Sequence, residues 1–188
     1  MDFLSKGKTE RRFLKLAIEK AEAAGYRNIE EIIKNKETLY PQDKVYMNQM
    51  NKSIALMHIG NEPLEQGMNI LGAHIDSPRL DLKQHPLYEE GDLAFFDTHY
   101  YGGVKKYQWV TIPLAIYGVV VLKSGKVIDI EIGDKEDDPV FVISDLLIHL
   151  ASKQMEKKAT TVITGESLNV TVGSIPLKGE KTQAVKAN

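Results

Sequence analysis

Two side chains with complementary chemistry stand two positions apart in the stretch Gly72-Ala73-His74-Ile75-Asp76. In extended backbone alternate side chains share a face, so His74 and Asp76 would project together from the end of a strand. An imidazole with a carboxylate behind it is the usual pairing of a metal ligand with the group that orients it. The alternative is a structural pair, in which a partly buried histidine is hydrogen-bonded to a turn aspartate in front of Pro78. Spacing alone leaves both interpretations open.

The other histidines of the chain give weaker signals. Three of them have no distinct metal-site pattern around them: His58, His85 and His99. His149 follows Asp145 by about one helical turn in a segment whose pattern predicts a helix, so the two side chains can meet on one face. Such a pair is typical either of a metal ligand with its carboxylate or of an ordinary surface contact between helical neighbours.

Several common catalytic designs are missing from the sequence. Cysteine is absent, which excludes disulfides, thiolate zinc sites and a cysteine nucleophile. No Gly-x-Ser-x-Gly elbow occurs, and no glycine-rich run has the spacing of a phosphate-binding loop. The 24 basic and 26 acidic residues leave a formal net charge of -2, which gives no sign of a surface for nucleic acid. Spacing therefore indicates a metal site of unspecified class, without a nucleic-acid partner.

The elements that would hold His74 are predicted from periodicity and turn residues. Apolar residues recur with helical spacing between Thr9, a good N-cap, and Gly25, a good C-terminal stop, and this predicts an amphipathic helix. The other predicted elements of this half are a short helix at 28–33, a hairpin of strands at 44–50 and 53–59, and strands at 68–74 and 80–83. The strand at 68–74 would end in the histidine of the motif.

The second half of the sequence is richer in strands and turns. Its predicted elements are strands at 110–122, 126–132 and 140–143 and a helix at 145–157 that Ser144 would cap. The polar, lysine-rich residues 178–188 show no pattern of a closing element, and a disordered tail is one interpretation of them. A helix, a hairpin and a strand followed by a β-rich segment predict an α/β unit and a second, β-rich unit.

The size and composition are those of a soluble protein. At 188 residues, with 43% hydrophobic and 27% charged residues, the chain can hold one ordinary domain and part of another. Charged residues within the first eight positions interrupt any export signal. The longest uncharged run, 107–122, contains Pro113 and is too short to span a bilayer comfortably. We expect a cytoplasmic protein without a membrane partner.

Four segments of the chain closely resemble the M18 family of metallo-aminopeptidases, and within it the bacterial type-1 branch, which is related to aspartyl aminopeptidase. The segments are residues 7–11, 72–81, 99–109 and 144–151, and they follow one another in the order of the family. The resemblance extends over nearly the whole chain but over only the first part of the family's length. It implies an α/β fold, in which a mixed-sheet zinc-peptidase catalytic domain is interrupted by a β-rich assembly domain. Residues 1–90 would be the N-terminal part of the catalytic domain, and residues 91–188 part of the inserted domain.

The resemblance also implies roles for three residues. His74 corresponds to the first metal-ligand histidine of the family, and Asp76 to the catalytic-site aspartate that orients it. His149 matches a second characteristic histidine, which either binds metal or reaches the active site of a neighbouring subunit. Two divalent ions, Zn²⁺ with Mn²⁺ or Co²⁺ as alternatives, would activate the water that removes N-terminal residues from peptide substrates. The inserted domain would join subunits into a homo-oligomer.

The sequence departs from the family pattern at two points. The bridging aspartate, general-base glutamate, remaining carboxylate ligands and final histidine of the family belong to a later region with no counterpart in these 188 residues. Asp129, Glu131 and Glu166 match no family motif and do not replace them. Because a catalytic zinc site needs at least three protein ligands, we expect the 188-residue chain by itself to be inactive. Trp109 is followed by Val-Thr-Ile-Pro, where the aspartyl branch has charged residues, so no preference for an acidic N-terminal residue is implied.

A second function class remains open on the same scaffold. A non-catalytic module for oligomerisation or interaction would use the segment after Tyr101 and would hold no metal ion productively. A peptide-binding module of PDZ type would be supported by the β-rich second half alone. A defined oligomer without zinc uptake would favour the non-catalytic assembly module over the peptidase.

Overall fold

The computed structural model describes residues 2–179 and 182–186, and it divides the chain into two compact units. The N-terminal unit ends at Ser77, and the C-terminal unit begins at Pro78. This division lies in front of the long hairpin that starts at Arg79, whereas the sequence places a domain boundary at 90/91. The assignment of the two parts to a catalytic and an assembly domain stays a prediction. In the described part of the chain, no helix combines the length and the apolar character that a membrane crossing requires.

The described part of the N-terminal unit contains the α-helices α1 (Asp2–Lys6), α2 (Glu10–Ala23) and α3 (Ile29–Asn35). The Thr9 hydroxyl accepts a hydrogen bond from the backbone N–H of Arg12 at 3.3 Å, which caps α2 as expected for an N-cap threonine. At the other end, Gly25 has a φ of 86° and Tyr26 N–H donates to the Ala21 carbonyl, the pattern of a left-handed helix stop. The helix predicted between Thr9 and Gly25 is therefore confirmed, and so is the short one after residue 28.

The sheet of this unit has the order β1-β2-β3, formed by β1 (Arg27–Asn28), β2 (Lys44–Gln49) and β3 (Ser53–His58). Strand β1 runs parallel to β2, and β2 and β3 form an antiparallel hairpin. The hairpin turn places Met50 and Asn51 at φ of 53° and 55°, and successive left-handed residues match the twist of the two strands. The predicted hairpin is thus confirmed. Helix α2, whose buried residues are Leu14 and Ala21, contacts β3 of this hairpin.

A buried hydrogen bond ties α2 to β2. Tyr46 is 4% exposed, and its hydroxyl donates to Glu22 Oε1 at 2.7 Å. The hydrogen bond to the Glu22 carboxylate, with burial and the charges of Glu22 and Glu31, raises the pKa of Tyr46 to about 12. Ionisation of the phenol would break this bond and place two negative charges side by side.

The C-terminal unit contains a three-stranded antiparallel sheet of order β4-β5-β8, with β4 (Arg79–Glu90), β5 (Leu93–Tyr101) and β8 (Val170–Gly173). Strand β4 continues well beyond the predicted 80–83. It does so through a register shift between Leu82 and Leu87, where His85 has a φ of 53° and Pro86 follows. A proline has no N–H to donate, so an irregular stretch is where a long strand accommodates it.

The core of this unit consists of buried aliphatic residues, Val110, Ile143, Ile163, Leu168 and Val170. Half-buried aromatic side chains pack against it, among them Trp109, Phe141 and Tyr100. Thr98 is 1% exposed, and its hydroxyl donates to the Leu168 carbonyl, which joins β5 to the start of the β8 segment. The buried hydroxyl of Thr98 therefore has a hydrogen-bond partner within the protein.

Residues 182–186 return to the sheet instead of leaving it. Val185 is buried and lies where a Cβ on Gly173 would meet its Cγ1 at 3.4 Å, so the glycine permits the close approach. Lys186 N–H donates to a Glu89 carboxylate oxygen at 2.8 Å. The interpretation of 178–188 as a disordered tail is wrong for residues 182–186, while residues 180, 181, 187 and 188 lie outside the described part.

A second hairpin is formed by β6 (Ile116–Val121) and β7 (Val127–Ile132). The strand predicted at 110–122 is shorter than expected, because Thr111 has a φ of 62° and Pro113 precedes the strand. Residues 140–143 form only isolated bridges, Phe141 with Leu114 and Val142 with Thr171.

The helix predicted at 145–157 is wrong. The structure has a 3-10 turn, Ile148–Leu150, and one short helix, α4 (Ser152–Met155). The apolar residues Leu146, Leu147, Ile148 and Leu150 are nearly consecutive and all exposed, so a helix here would bury no apolar face. Asp145 Oδ1 instead accepts hydrogen bonds from Leu146 N–H at 2.8 Å and Gln154 Nε2 at 2.7 Å.

We expect Tyr46→Phe to lower the free energy of unfolding by about 1.5 kcal/mol at neutral pH, the worth of a hydrogen bond to a charged group. The folded-state pKa of about 12 lies above the ordinary 10.0 of tyrosine, so this stabilisation is complete below pH 10 and is lost as the pH rises through 12. Urea denaturation followed by far-UV circular dichroism would therefore show the difference between wild type and variant shrinking across that range. Tyr40→Phe, at a 66% exposed position of the same unit, is the matched control and should change neither curve.

Candidate metal centre

The segment that carries the His74 motif belongs to no strand of the described sheets. After β3 the chain makes a 3-10 turn, Leu64–Gln66, and reverses at Gly67 with a φ of 104°. Residues 67–78 then run without regular secondary structure up to the start of β4. The strand predicted at 68–74 is therefore wrong for the described residues, because no neighbouring strand among them supplies the hydrogen-bond ladder that defines one.

The histidine and the aspartate of the motif meet as their spacing predicts. His74 Nδ1 lies 3.0 Å from Asp76 Oδ1 and 3.2 Å from the backbone carbonyl oxygen of Asp76. An ionised carboxylate and a carbonyl only accept hydrogen bonds, so Nδ1 carries the proton and donates it to them. The lone pair of the neutral ring is therefore on Nε2, on the far side of the imidazole. This is the tautomer in which Nε2 can bind a metal ion.

Exposure distinguishes the two interpretations of this pair. The side chain of His74 is 85% exposed, whereas that of Asp76 is 34% exposed. A structural histidine would be at least partly buried, with both ring nitrogens satisfied by the protein. His74 instead presents Nε2 to solvent, so the geometry fits a ligand that is oriented by a carboxylate.

The described residues supply only part of a metal site. Within residues 2–179 and 182–186, no group of three or more histidine, cysteine, aspartate or glutamate side chains is placed to hold an ion. A catalytic zinc ion requires three protein ligands and keeps a further position open for water or substrate. The donor set at His74 fits one ligand with its orienting partner, and the remaining ligands would have to come from elsewhere.

His149 lies on the exposed 3-10 turn Ile148–Leu150 of the C-terminal unit, whereas His74 belongs to the N-terminal unit. Its predicted pairing with Asp145 on one helix face is wrong, because that helix does not form and Asp145 is engaged by Gln154. The role of His149 as a metal ligand or as a residue that reaches a neighbouring subunit stays a prediction.

A polar cluster at the start of the β4–β5 hairpin was not predicted. Arg79 Nε donates to Asp81 Oδ1 at 2.7 Å, and its guanidinium lies 4.1 Å from the centre of the Tyr101 ring. The alternation of Arg79 and Asp81 along a strand is a readable signal, but the pairing of Arg79 with Tyr101 depends on the cross-strand register. The irregular stretch after Leu82 prevents that register from being counted back from the hairpin turn.

A second ion-pair cluster joins three elements of the same unit. Lys83 Nζ lies 2.8 Å from Glu166 Oε2 and 3.0 Å from Asp97 Oδ1, which links β4, β5 and the turn at 165–167. These hydrogen bonds, first to Glu166 and then to Asp97, raise the pKa of Lys83 above its ordinary value. The cluster has one positive and two negative side chains, and both carboxylates contact the Lys83 ammonium group.

Comparison with known proteins shows what the chain is similar to. A family model described as aminopeptidase I zinc metalloprotease (M18) matches residues 3–187. A probable M18 family aminopeptidase 1 of Clostridium acetobutylicum is 58% identical over 188 residues, which are 100% of this chain and 40% of that protein. The chain therefore spans about two fifths of the length of this relative.

Solved structures give the same result. The crystal structure of an M18 family aminopeptidase from Thermotoga maritima matches with a TM-score of 0.90 at 43% identity, over 100% of this chain and 40% of that one. The aminopeptidase I of Clostridium acetobutylicum matches with a TM-score of 0.87 at 53% identity, over 100% and 41%. The expected α/β class with mixed and antiparallel sheets, as the N-terminal part of such a protein, is confirmed, and so is the resemblance carried by the four motifs.

We expect Asp76→Ala to change the tautomer of His74, because the substitution removes the side-chain acceptor for the Nδ1 proton. Loss of an exposed hydrogen bond of this kind would lower the ratio of the Nδ1–H to the Nε2–H form by about threefold. Two-dimensional ¹H–¹⁵N NMR of the imidazole nitrogens, at a pH where the ring is neutral, measures this ratio. Asp76→Asn keeps an oxygen acceptor and should retain most of the Nδ1–H form, and His58 is the internal control. Equal ratios in wild type and Asp76→Ala would contradict the assignment.

Proposed function

Because this chain belongs to the M18 family of zinc metalloproteases, we propose that it forms part of an aminopeptidase that removes N-terminal residues from peptides. The observation that carries the proposal is the exposed Nε2 of His74, held in the ligand tautomer by Asp76. The match to a relative of this family covers the whole length of the chain, residues 72–81 within it. A non-catalytic assembly module would not require His74 in the Nδ1–H form, which leaves Nε2 available for a metal ion, so this alternative is not favoured.

His74 would hold a divalent ion through Nε2. Zn²⁺ is the ion of the family, two ions would occupy the complete site, and Mn²⁺ or Co²⁺ are the alternatives. When bound, such ions polarise a peptide carbonyl and lower the pKa of water. The remaining ligands and the general base would come from sequence that the relatives carry outside the matched 40%.

Asp76 would act on the imidazole and not on the substrate. Its carboxylate oxygen Oδ1 accepts the hydrogen bond from Nδ1–H, with 3.0 Å between Nδ1 and Oδ1, which fixes the ring orientation and makes Nε2 a better electron donor. This is a positioning role, and it requires that Asp76 stays ionised and close to the ring.

His149 would contribute from the C-terminal unit, either as a ligand or in the active site of a neighbouring subunit. The exposed apolar residues beside it, Leu147, Ile148 and Leu150, suit a contact with another copy, so a homo-oligomer formed through this unit is part of the proposal. The proposal also includes peptides as the substrates and the cytoplasm as the location, because peptides arise there by proteolysis.

A chimera tests the proposal directly. This chain would replace the matched 40% of the Clostridium acetobutylicum relative, and the chimera would be assayed on aminoacyl substrates with Zn²⁺, Mn²⁺ or Co²⁺. We expect turnover, and we expect His74→Ala to lower kcat/KM by roughly 1,000-fold or more, because the metal contributes several kcal/mol to catalysis.

Asp76→Ala in the chimera should lower metal affinity or activity by about 10- to 100-fold, the usual effect of removing a partner of a metal-bound histidine. His58→Ala, at an exposed position on β3 outside the motif, is the matched control and should retain turnover. A chimera that keeps near-normal activity without His74 would contradict the assignment of this residue.

The 188-residue chain by itself should show no peptidase activity with any of the three metal ions, since its described residues hold no three-ligand site. Assays of the purified chain at metal concentrations up to about tenfold over protein, with the chimera as the positive control, measure this. Robust turnover by the chain alone would show that its own residues complete the site.

A further inference from the structure

His149 lies in an exposed loop of the C-terminal unit whose two ends are buried. At one end, Ile143 is 1% exposed, and its carbonyl accepts a hydrogen bond from Thr111 N–H at 2.8 Å. At the other end, Ala151 is 3% exposed and directly precedes α4. Residues 144–150 between these two positions are all exposed. The chain therefore leaves the core after Ile143 and becomes buried again at Ala151.

The backbone hydrogen bonds at the tip of this loop are local. Leu150 N–H donates to the Leu147 carbonyl at 2.8 Å. Ala151 N–H donates to the Ile148 carbonyl at 3.2 Å. Both bonds join residues three positions apart and form the 3-10 turn that carries His149. They fix the shape of the turn, but its orientation depends on how the two ends of the loop are held together.

A side-chain hydrogen bond joins the two ends of the loop. Gln154 Nε2 donates to Asp145 Oδ1 at 2.7 Å, across nine positions of the sequence. Leu146 N–H donates to the same oxygen at 2.8 Å, which fixes the aspartate side chain against its own backbone. Hydrogen bonds to a carboxylate are shorter and stronger than those between neutral groups. The Asp145 carboxylate therefore closes the loop around the turn that carries His149.

We propose that Asp145 and Gln154 are positioning residues for His149, because their hydrogen bond closes the loop and holds the 3-10 turn in one orientation. The inference rests on the proposed function, in which His149 either binds a metal ion or reaches the active site of a neighbouring subunit. Both roles require the imidazole at a defined position, so the bond would serve either of them.

A loop that is closed beforehand binds its target at a lower entropic cost. Ordering a flexible loop at the moment of binding subtracts from the binding free energy, and a loop already in place avoids this loss. An exposed hydrogen bond to a carboxylate favours the closed loop by a factor of about 3 to 10. Loss of the bond should reduce the fraction of molecules with His149 in place by the same factor. The unit itself should stay folded, because its core lies elsewhere, around Ile163 and Leu168.

Reversal of the hydrogen bond tests the inference without reference to activity. Gln154→Glu keeps the size of the side chain but replaces the donor by a second carboxylate, so the bond to Asp145 is lost. Asp145→Asn combined with Gln154→Glu exchanges donor and acceptor. The new amide nitrogen can donate to the new carboxylate, while the amide oxygen still accepts from Leu146 N–H. Gln84→Glu, at an exposed position on β4 of the same unit, is the matched control.

Hydrogen exchange of the Leu150 and Ala151 amides, measured by ¹H–¹⁵N NMR of the 188-residue chain, reports the order of the turn beside His149. We expect Gln154→Glu to speed exchange at both amides by about 3- to 10-fold. The double variant should restore the wild-type rates, and Gln84→Glu should leave them unchanged.

Unchanged exchange in Gln154→Glu would overturn the proposal, because Ile143 and Ala151 alone would then hold the loop. Equal acceleration in the double variant would also overturn it, since a restored bond would have no effect. If Gln154→Glu fails to fold by circular dichroism, Gln154→Ala is read in its place, because alanine removes the donor without adding a charge.

The chimera tests whether the bond acts through His149. Gln154→Glu should lower kcat/KM by about 3- to 10-fold, and the double variant with Asp145→Asn should recover it. In a His149→Ala chimera, Gln154→Glu should cause no further loss, because no imidazole remains to be positioned. An equal further loss in that background would show that the bond acts elsewhere and would overturn the proposal.

The outcomes separate this inference from the proposed function. Faster exchange in Gln154→Glu and recovery in the double variant, with a chimera that shows no turnover, would support the closed loop and refute the function. Turnover that depends on His149 but is unchanged by Gln154→Glu would support the function and overturn the inference.

Discussion

An extended peptide backbone forms a stable strand only where a neighbour accepts and donates its hydrogen bonds, and this constraint separates the two kinds of segment in the protein. Strand β2 has β1 on one side and β3 on the other, and β5 lies between β4 and β8. Both are ordered within sheets. Residues 68–75 are about as rich in apolar residues as β5, but they have no neighbouring strand among the described residues and remain outside any sheet. Order in this chain therefore follows pairing more closely than it follows hydrophobicity.

Elements specified by local contacts could be predicted from the sequence. The helix between Thr9 and Gly25 begins at an N-cap residue and ends at a glycine, and both signals depend only on residues close in sequence. The β2–β3 hairpin is likewise specified by its two left-handed turn residues. The meeting of His74 with Asp76 belongs to the same class, since two positions in extended chain bring the side chains together. Local spacing was sufficient for each of these.

Features that depend on distant partners could not be predicted in this way. Among the described residues, no surface covers the exposed Leu147 and its neighbours, so the helix expected at 145–157 does not form. The strand expected at 68–74 likewise has no adjacent strand in that part of the chain. The stacking of Arg79 on Tyr101 depends on a register that an irregular stretch conceals, and the burial of Val185 depends on a return to Gly173. The same distinction applies to the candidate site. Its one ligand, His74, is recognised from neighbouring residues of the sequence, whereas its other ligands would come from distant parts of the protein.

Trp109 is the only tryptophan of the chain, and it packs against the core around Val110, Ile143 and Leu168 in the C-terminal unit. Intrinsic fluorescence excited at the indole band therefore follows the melting of that unit alone. The N-terminal unit, which carries the histidine motif, has no such reporter. A melting curve measured by tryptophan fluorescence therefore does not report the unfolding of the N-terminal unit, which would bind the ion. A tryptophan introduced at an exposed aromatic position such as Tyr40 would give that unit a fluorescence signal of its own.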